Sequence, residues 1–440
     1  MNPLAIELNA ELNGTAAGRL MSKMGSRLYF PKGIIAQSAE AKKSAHAANA
    51  TIGMAYSKGL PLILSSIVYS MPTLTPEQAV AYAPTAGVEK VRQDWKKLIA
   101  QKNPSLNPQN ISLPVVVPGL TAGISYMADL FLEEGGVMLA SDPCWDNYQL
   151  VFEERRNARL KGIPFFSKDS IKASRPGLDL EAINKAVKEE AKTGAVRIIL
   201  NFPNNPSGYS PTKAEYDGLT KIFKEAAEAG ADVLVLCDDA YFGLFYENDI
   251  YQESIFSALA GLHEKVLAVK IDGPIKEDYV WGLRTGFVTF GSKGLGSAHY
   301  DALVKKLMGA IRSSVSCANT PAQYLIIQAM EDPRTISEKA RFQDMMLKRY
   351  QAVKQFVVSH PNHPNLTPLP FNSGYFMSFR TEGVSAEKLR QELLARHGIG
   401  VVSLGESCLR VAFAGLDEEI IESTYKVIYD TAEGMGKGKV

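Results

Sequence analysis

The chain is short of the residues that mark metal-binding and disulfide-rich proteins. Among its 440 residues are four cysteines, and no two stand at the Cys-x-x-Cys spacing of a metal or redox pair. We expect these cysteines to be reduced. Of the six histidines, His360 and His363 are close together, but the flanking prolines predict a plain loop there and no metal site.

The chain also lacks an excess of charge of either sign and a long hydrophobic run. Lys and Arg number 48 against 47 Asp and Glu, so there is no basic surface of the kind that binds nucleic acid. The longest apolar stretch, 59–71, is short for a membrane span and is broken by Pro61. The N-terminus has no basic stretch followed by an apolar segment. We predict a cytoplasmic protein with no nucleic-acid or membrane partner.

Apolar runs alternate with helical patterns through the middle of the chain. Helices are predicted over 121–136 and 210–230, the second with Ser210 as N-cap and Pro211 at its first position. Such an alternation is typical of an α/β fold with a mostly parallel sheet flanked by helices. The runs that predict strands are 115–117, 137–141, 196–201, 233–237, 266–271 and 287–291.

After about residue 335 the pattern changes to that of a smaller α+β domain. Helices are predicted over 336–359, 385–398 and 417–434, with strands in 374–380 and 408–415. We predict three regions: an N-terminal segment, 1–64, that contributes to the small domain; a large domain, 65–335; and a small C-terminal domain, 336–440.

Polar and aromatic residues follow the predicted strands, where an open α/β sheet binds its ligands. The segment PGLTAG, 118–123, can present backbone N–H groups to a phosphate at a helix N-terminus. Each feature alone is also compatible with a turn, a helix cap or core packing, but the whole set in this order has few explanations. The other residues of the set are Trp145, Asn204, Asn205, Asp238, Tyr241, Lys276 and Arg284.

Together these motifs resemble the class I/II aminotransferases, pyridoxal-phosphate enzymes of fold type I, and among them the aspartate and aromatic aminotransferases. The resemblance runs from about residue 49 to residue 415. It implies a homodimer with active sites at the interface, pyridoxal 5′-phosphate as cofactor, a large cofactor-binding domain and a smaller α+β domain. The matching motifs are YAPTAG (82–87), PGLTAG (118–123), PCW (143–145), NNPSG (204–208), DDAY (238–241), KEDYVWGLR (276–284) and LRVAFA (409–414).

The resemblance implies roles around the cofactor ring. Lys276 resembles the lysine that forms the Schiff base with the cofactor, because it stands eight residues before the arginine of GLRTG. Asp238 would bind the pyridine nitrogen, and its negative charge would keep that nitrogen protonated. Tyr241 and Asn205 would bind the 3′-oxygen, and Trp145 would stack on the ring. The second nearby lysine, at position 270, is predicted to be structural.

The resemblance also implies roles at the phosphate and at the substrate. Thr121, Ala122 and Arg284 would hold the phosphate, joined by Tyr82 from the partner subunit. Arg410 would bind the substrate α-carboxylate, beside the asparagine and tryptophan just named.

Three departures from the family pattern are present. The family's usual serine three residues before the lysine is replaced by Gly273, so we expect one phosphate hydrogen bond to be missing. The lysine is followed by two acidic residues, Glu277 and Asp278. Dicarboxylate-specific members place a second, side-chain-binding arginine from the partner subunit in the segment that NTPAQYLII (319–327) resembles. This chain has Ile326 at that position, which disfavours an aspartate-type distal carboxylate and favours an apolar or aromatic substrate side chain. Arg312 is a nearby cation that could compensate.

We therefore expect an aminotransferase that moves the amino group of a neutral or aromatic L-amino acid to a 2-oxo acid such as 2-oxoglutarate. The alternatives are an aspartate-type aminotransferase, a pyridoxal-phosphate-dependent lyase or decarboxylase on the same fold, and a binding module without catalysis. The intact set of site residues argues against the last.

Overall fold

The computed structural model of the protein describes residues 1–13, 15, 21–29, 33–166 and 177–438. The α-helices are α1 Pro3–Leu12, α2 Lys23–Arg27, α3 Ile34–Ser44, α4 Ser65–Ser70, α5 Pro76–Val80, α6 Glu89–Lys102, α7 Leu120–Phe131, α8 Leu180–Ala191, α9 Lys213–Glu228, α10 Ile255–Leu259, α11 Ser297–Arg312, α12 Thr320–Glu331, α13 Pro333–Ser359, α14 Ala386–His397 and α15 Glu418–Gly436. A π-helix, Gln149–Arg155, follows Tyr148. The strands are β1 Ala48–Asn49, β2 Tyr56–Ser57, β3 Leu60–Pro61, β4 Val115–Val117, β5 Val137–Asp142, β6 Arg159–Pro164, β7 Ala195–Asn201, β8 Asp232–Asp238, β9 Val266–Asp272, β10 Gly286–Gly291, β11 Leu366–Pro368, β12 Met377–Thr381, β13 Ile399–Gly400, β14 Val402–Leu404 and β15 Cys408–Val411.

The central sheet has seven strands in the order β4-β10-β9-β8-β7-β5-β6. β10 runs antiparallel to both of its neighbours, and the other pairs are parallel. Successive side chains of a strand point to opposite faces, so Ile198 packs in one apolar cluster with Leu219 of α9, and Ile199 in another with Ile124 of α7. Both faces are covered, which explains the continuous apolar runs and confirms the predicted α/β architecture.

Two predicted helix boundaries are wrong for local reasons. The helix predicted over 121–136 ends at Phe131, and a turn closed by the bond from Gly136 N to Glu133 O follows it. The helix predicted from Ser210 begins at Lys213, because Thr212 forms a capping box with Glu215. Ser210 is instead buried, and its hydroxyl is 2.8 Å from that of Ser373.

The C-terminal part of the chain forms a four-stranded antiparallel sheet in the order β11-β12-β15-β14, which packs against α14 and, through Phe379 of β12, against the rings of Tyr425 and Tyr429 in α15. The N-terminal segment joins this part, because β1 pairs in parallel with β13 and the Gln37 side chain bonds to Ser403. The domain boundaries at residues 64 and 335 stay a prediction. Within the described ranges, no helix combines the length and hydrophobicity that crossing a membrane requires.

Candidate active site

A cavity lies at the carboxyl ends of the parallel strands. β7 ends at Asn201 and β8 at Asp238, and both of these residues reach the cavity. The loop after β9 brings Lys276 and Arg284 to the same place. The cavity is lined by Leu120, Thr121, Trp145, Asn201, Asn205, Asp238, Ala240, Tyr241, Ile275, Lys276, Trp281 and Arg284. The strand-end rule therefore locates this cavity.

The amine of Lys276 is held in the cavity by a neutral partner. Its Nζ donates a hydrogen bond to the main-chain oxygen of Gly53 at 3.0 Å and lies 5.1 Å from the centre of the Tyr241 ring. The Tyr375 hydroxyl donates to the Lys276 carbonyl at 2.7 Å and fixes the backbone. Burial, together with the positive charges of Arg284 and Arg410, lowers the pKa of the Lys276 amine to about 7. A neutral, nucleophilic amine is thus accessible near pH 7.

Asp238 offers a buried carboxylate to the same cavity. Burial raises the pKa of Asp238 to about 6, and a hydrogen bond from the Tyr148 hydroxyl opposes that rise. Asn201 donates from Nδ2 to the Asp238 carbonyl at 2.8 Å, so the end of β8 is tied to the end of β7. A carboxylate held in this way is suited to pair with a protonated ring nitrogen.

A cradle for an anion lies between Arg284 and the first turn of α7. Arg284 adopts a left-handed conformation, with φ of 49°, and donates from Nη1 to the Trp281 carbonyl at 3.0 Å. Gly119 caps α7 with φ of 89°, and a Cβ there would lie 2.5 Å from Nη2 of Arg284. Glycine therefore allows the guanidinium to approach the helix N-terminus, an arrangement that suits a phosphate group.

Arg410 is a buried cation beside the cavity. Its Nη1 donates to Oδ1 of Asn205 and its Nη2 to the carbonyl of Thr51, each at 2.9 Å, and its guanidinium stacks 4.3 Å from the centre of the Phe376 ring. Among the described residues no carboxylate forms a salt bridge with it; the charge of Asp146 acts on it only from a longer distance, and its buried Nε lacks an acceptor. A buried guanidinium held by neutral groups can accept a carboxylate ligand.

Some predicted site residues do not line the cavity. Ile326 is 2% exposed and lies in an apolar cluster with Val91 and Trp95, so the structure does not bring it to the substrate within this chain. Arg312, at the end of α11, is exposed. Tyr82 is 92% exposed, and Ala122 lies half-buried in the first turn of α7.

The structure explains Gly273, the least conventional position of the lysine loop. A Cβ at this position would lie 2.9 Å from the Thr285 carbonyl and 3.1 Å from the Gly286 Cα. Because main-chain atoms occupy that space, a serine would require the backbone to move. The residue is therefore fitted to the close approach of β10.

The acidic pair and Lys270 belong to structural ion clusters. Glu277 pairs with Lys102 and with Lys339, the latter at 3.3 Å, and Lys339 also pairs with Asp278. These contacts tie the Lys276 loop to α6 and α13. Lys270, 1% exposed, pairs with two aspartates at the ends of β8 and β9, Asp239 and Asp272.

Several groups in or beside the cavity were missed from the sequence. Tyr148 stands three residues after Trp145 in one motif, and Asn201 ends a predicted strand, so the strand-end rule could have located both. The main-chain oxygens of Thr51 and Gly53 have no sequence signal, because any residue carries such a group.

The groups at the cavity fit pyridoxal phosphate. They are a carboxylate for the ring nitrogen, an amine for the aldehyde, aromatic side chains for the ring and a cationic cradle for the phosphate. Fold and site thus define a pyridoxal-phosphate-dependent transferase. The family model for aminotransferase class I and II matches residues 60–428. This chain belongs to the class I and II aminotransferases, a family of pyridoxal-phosphate-dependent enzymes.

Individual relatives have low sequence identity to this chain, but the similarity extends over most of both proteins. The aspartate aminotransferase of Sulfurisphaera tokodaii is 21% identical, over 79% of this chain and 81% of that protein. Among solved structures, an aminotransferase from Anaerococcus prevotii superposes with a TM-score of 0.82 at 20% identity, over 94% of this chain and 99% of that one. The kynurenine aminotransferase of Pyrococcus horikoshii superposes with a TM-score of 0.77 at 16% identity, over 96% and 98% of the two chains. These superpositions confirm the predicted fold.

Proposed function

We propose that this chain binds pyridoxal 5′-phosphate through Lys276 and transfers the amino group of a neutral or aromatic L-amino acid to a 2-oxo acid such as 2-oxoglutarate. The observation that carries the proposal is Arg410, a guanidinium only 2% exposed and held by neutral partners. A buried charge of this kind is costly unless a ligand of opposite charge joins it. The carboxylate common to every amino acid and 2-oxo acid meets that need.

The cofactor would be held by groups from separate strands. Nζ of Lys276 would bond the aldehyde carbon, and the carboxylate of Asp238 would face the ring nitrogen. Tyr241 and Asn205 would donate to the 3′-oxygen, and Trp145 would cover one face of the ring. The phosphate would lie between Arg284 and the α7 N-terminus, with Thr121 and Ala122, and Tyr82 of the partner subunit would complete the phosphate site.

The proposed proton chemistry follows from two groups with shifted pKa values, Asp238 and Lys276. When bound, the cofactor supplies a protonated ring that draws electron density from the substrate α-carbon. Asp238 holds the negative charge that keeps the ring nitrogen protonated. The Lys276 amine, with a pKa of about 7, is the base that would remove the proton from the α-carbon. Its pKa near neutrality suits it both to take up and to release that proton.

The walls of the cavity support a neutral or aromatic substrate side chain. Trp145, Trp281 and Ile275 line it, and its only lining cations among the described residues are Lys276 and Arg284, both assigned to the cofactor. The relative named as a kynurenine aminotransferase agrees with an aromatic substrate. The relative named as an aspartate aminotransferase supports the second candidate, an aspartate-type enzyme. That candidate requires a further cation for the distal carboxylate, which a partner subunit would have to supply.

A homodimer is part of the proposal. The segment 60–82 exposes a group of large apolar side chains, which is typical of a protein interface. Tyr82 is placed on this surface, where it could reach the cavity of a second copy. The exposed side chains are Leu60, Ile63, Val68, Tyr69, Met71, Val80 and Tyr82. Light scattering after gel filtration should give twice the chain mass, and a stable monomer with full activity would contradict the proposed interface.

The proposal is tested by single-turnover reactions with a panel of L-amino acids. Phenylalanine, tyrosine and leucine should convert the cofactor to its amine form and release one equivalent of the matching 2-oxo acid, faster than aspartate does. If aspartate is preferred, the aspartate-type alternative is correct. Release of carbon dioxide without the amine form of the cofactor would identify a decarboxylase and contradict the proposal.

A further inference from the structure

Tyr148 lies behind the cavity and contacts two of its functional groups at once. The side chain is 2% exposed and is not part of the cavity lining. Its hydroxyl donates a hydrogen bond to Oδ2 of Asp238. Its ring packs edge-on against the Trp145 ring, with centroids 5.5 Å apart and planes at 79°. One buried residue therefore supports both the carboxylate and the aromatic wall of the proposed cofactor site.

The hydrogen bond between Tyr148 and Asp238 has a fixed direction. Burial and the neighbouring carboxylate raise the pKa of the Tyr148 hydroxyl well above its ordinary value, so this group keeps its proton. It can therefore donate continuously to an ionised Asp238. The other contact of the carboxylate, from Ala240 N to Oδ1 at 3.3 Å, is long for a hydrogen bond. Tyr148 is the principal donor to this carboxylate among the described residues.

We propose that Tyr148 is a positioning residue that keeps Asp238 ionised and correctly oriented, so that this carboxylate can hold the protonated ring nitrogen of the cofactor. The inference rests on the proposed function, because it requires the cofactor ring to lie against Asp238. A desolvated carboxylate without a donor takes up a proton more readily. A protonated Asp238 would no longer pair with the cationic ring.

The test uses Tyr148→Phe, which removes the hydroxyl and keeps the ring that supports Trp145. The measured quantity is the affinity for pyridoxamine 5′-phosphate, because this amine form of the cofactor binds without a covalent bond to Lys276. Without the donor, Asp238 should titrate at a higher pH. At about pH 6 the variant should bind pyridoxamine 5′-phosphate about tenfold more weakly than wild type does. At about pH 8.5 the two affinities should agree within about twofold.

Tyr209→Phe is a matched control. Tyr209 is 4% exposed, and its hydroxyl donates to a carboxylate, Oε2 of Glu215, at 2.7 Å. It lies in an apolar cluster on the sheet and does not line the cavity. The control removes the same type of hydrogen bond at a place that does not line the cavity. It should therefore leave the pH dependence of binding unchanged. A general loss of stability would affect both variants alike.

A double-mutant cycle tests whether Tyr148 acts through Asp238. In an Asp238→Asn background there is no carboxylate to titrate, so Tyr148→Phe should no longer alter the pH dependence. Tyr148→Leu, which also lacks the donor, is measured in parallel and should show the same shift, so the test does not depend on the folding of one variant.

The outcomes distinguish a failure of the proposed function from a failure of the inference about Tyr148. If wild type does not bind pyridoxamine 5′-phosphate, the proposed function fails. If wild type binds it, and the ratio of wild-type to Tyr148→Phe affinity is constant from about pH 6 to about pH 8.5, only the inference about Tyr148 is overturned.

Discussion

The ε-amine of Lys276 hydrogen-bonds to the main-chain carbonyl of Gly53 at 3.0 Å, and this contact joins the lysine loop to the N-terminal segment. A carbonyl oxygen carries no formal charge, so it does little to offset the burial that disfavours the ammonium form. A Cβ on Gly53 would lie 3.1 Å from the Tyr241 hydroxyl and 3.4 Å from the Lys276 amine. The carbonyl can thus orient the amine while leaving it available for reaction.

The first prediction concerns the pH dependence of cofactor attachment. Burial and two nearby arginines lower the pKa of Lys276 from 10.5 to about 7, so the neutral amine prevails above about pH 7. The rate at which pyridoxal phosphate combines with the cofactor-free protein should rise about tenfold per pH unit below that value and level off above it. Stopped-flow absorbance measures this rate, and a midpoint near 10 would show that the amine is unperturbed.

Removal of the Arg410 charge should weaken all amino donors alike. Arg410→Met keeps an apolar stem in the buried site but removes the partner of the α-carboxylate, which every donor shares. We expect kcat/KM to fall about a hundredfold or more for each donor, with the ratio between phenylalanine and leucine unchanged. The control is Arg396→Met, at an exposed position of α14. A loss confined to one donor would mean that Arg410 contacts the side chain instead.

Gly273 should not tolerate a side chain. In Gly273→Ala the new Cβ would meet the Thr285 carbonyl at 2.9 Å, so the backbone must shift, and we expect a loss of about 1–3 kcal/mol in unfolding free energy. Gly309→Ala is the control, because Gly309 is an exposed position within α11 with no atom within 4 Å of the new Cβ. It should stabilise the protein slightly. Equal stability of the two variants in urea titrations would contradict the packing argument.

Glu277, the first acidic residue after Lys276, should contribute stability that disappears in acid. Although burial opposes it, Lys102 and Lys339 lower the pKa of Glu277 from 4.5 to about 2. The folded-state pKa is below the unfolded value, so this contribution is complete above about pH 4.5 and is lost as the pH falls towards 2. Glu277→Gln should remove about 3 kcal/mol of unfolding free energy at neutral pH.

The control for this prediction is Glu89→Gln, because Glu89 is exposed and its pair with Arg92 should contribute under about 1 kcal/mol. Unfolding curves at several pH values compare the two variants with wild type. If Glu277→Gln and Glu89→Gln lower the free energy of unfolding by the same amount at neutral pH, the buried cluster does not stabilise the lysine loop.

Strand ends were predictable from the sequence because continuous apolar runs mark buried strands, and the polar residue that follows each run must lie at the sheet edge. Asp238 was located in this way, whereas Lys276 was chosen over Lys270 because it stands eight residues before Arg284. The helix starting at Lys213 was misplaced because a capping box at Thr212 competes with the Ser-Pro pair two residues earlier.

Features that depend on the approach of distant segments could not be predicted. Ile326 was assigned by alignment along the chain, whereas its position in the core is set by the packing of α12. The carbonyl of Gly53 and the fit of Gly273 against Thr285 arise from backbone placement, which residue identity does not encode locally. Tyr148 stands in a strand-end motif, but its hydrogen bond to Asp238 spans 90 residues of sequence and is visible only in three dimensions.

The central claim is that Lys276 is the residue to which the cofactor is covalently attached. Borohydride reduction of the cofactor-loaded protein, followed by proteolysis and mass spectrometry, tests it directly. We expect a single modified peptide that carries the reduced cofactor on Lys276, and no modification in Lys276→Ala. Modification of Lys270, or of any other lysine, in the wild-type protein would contradict it.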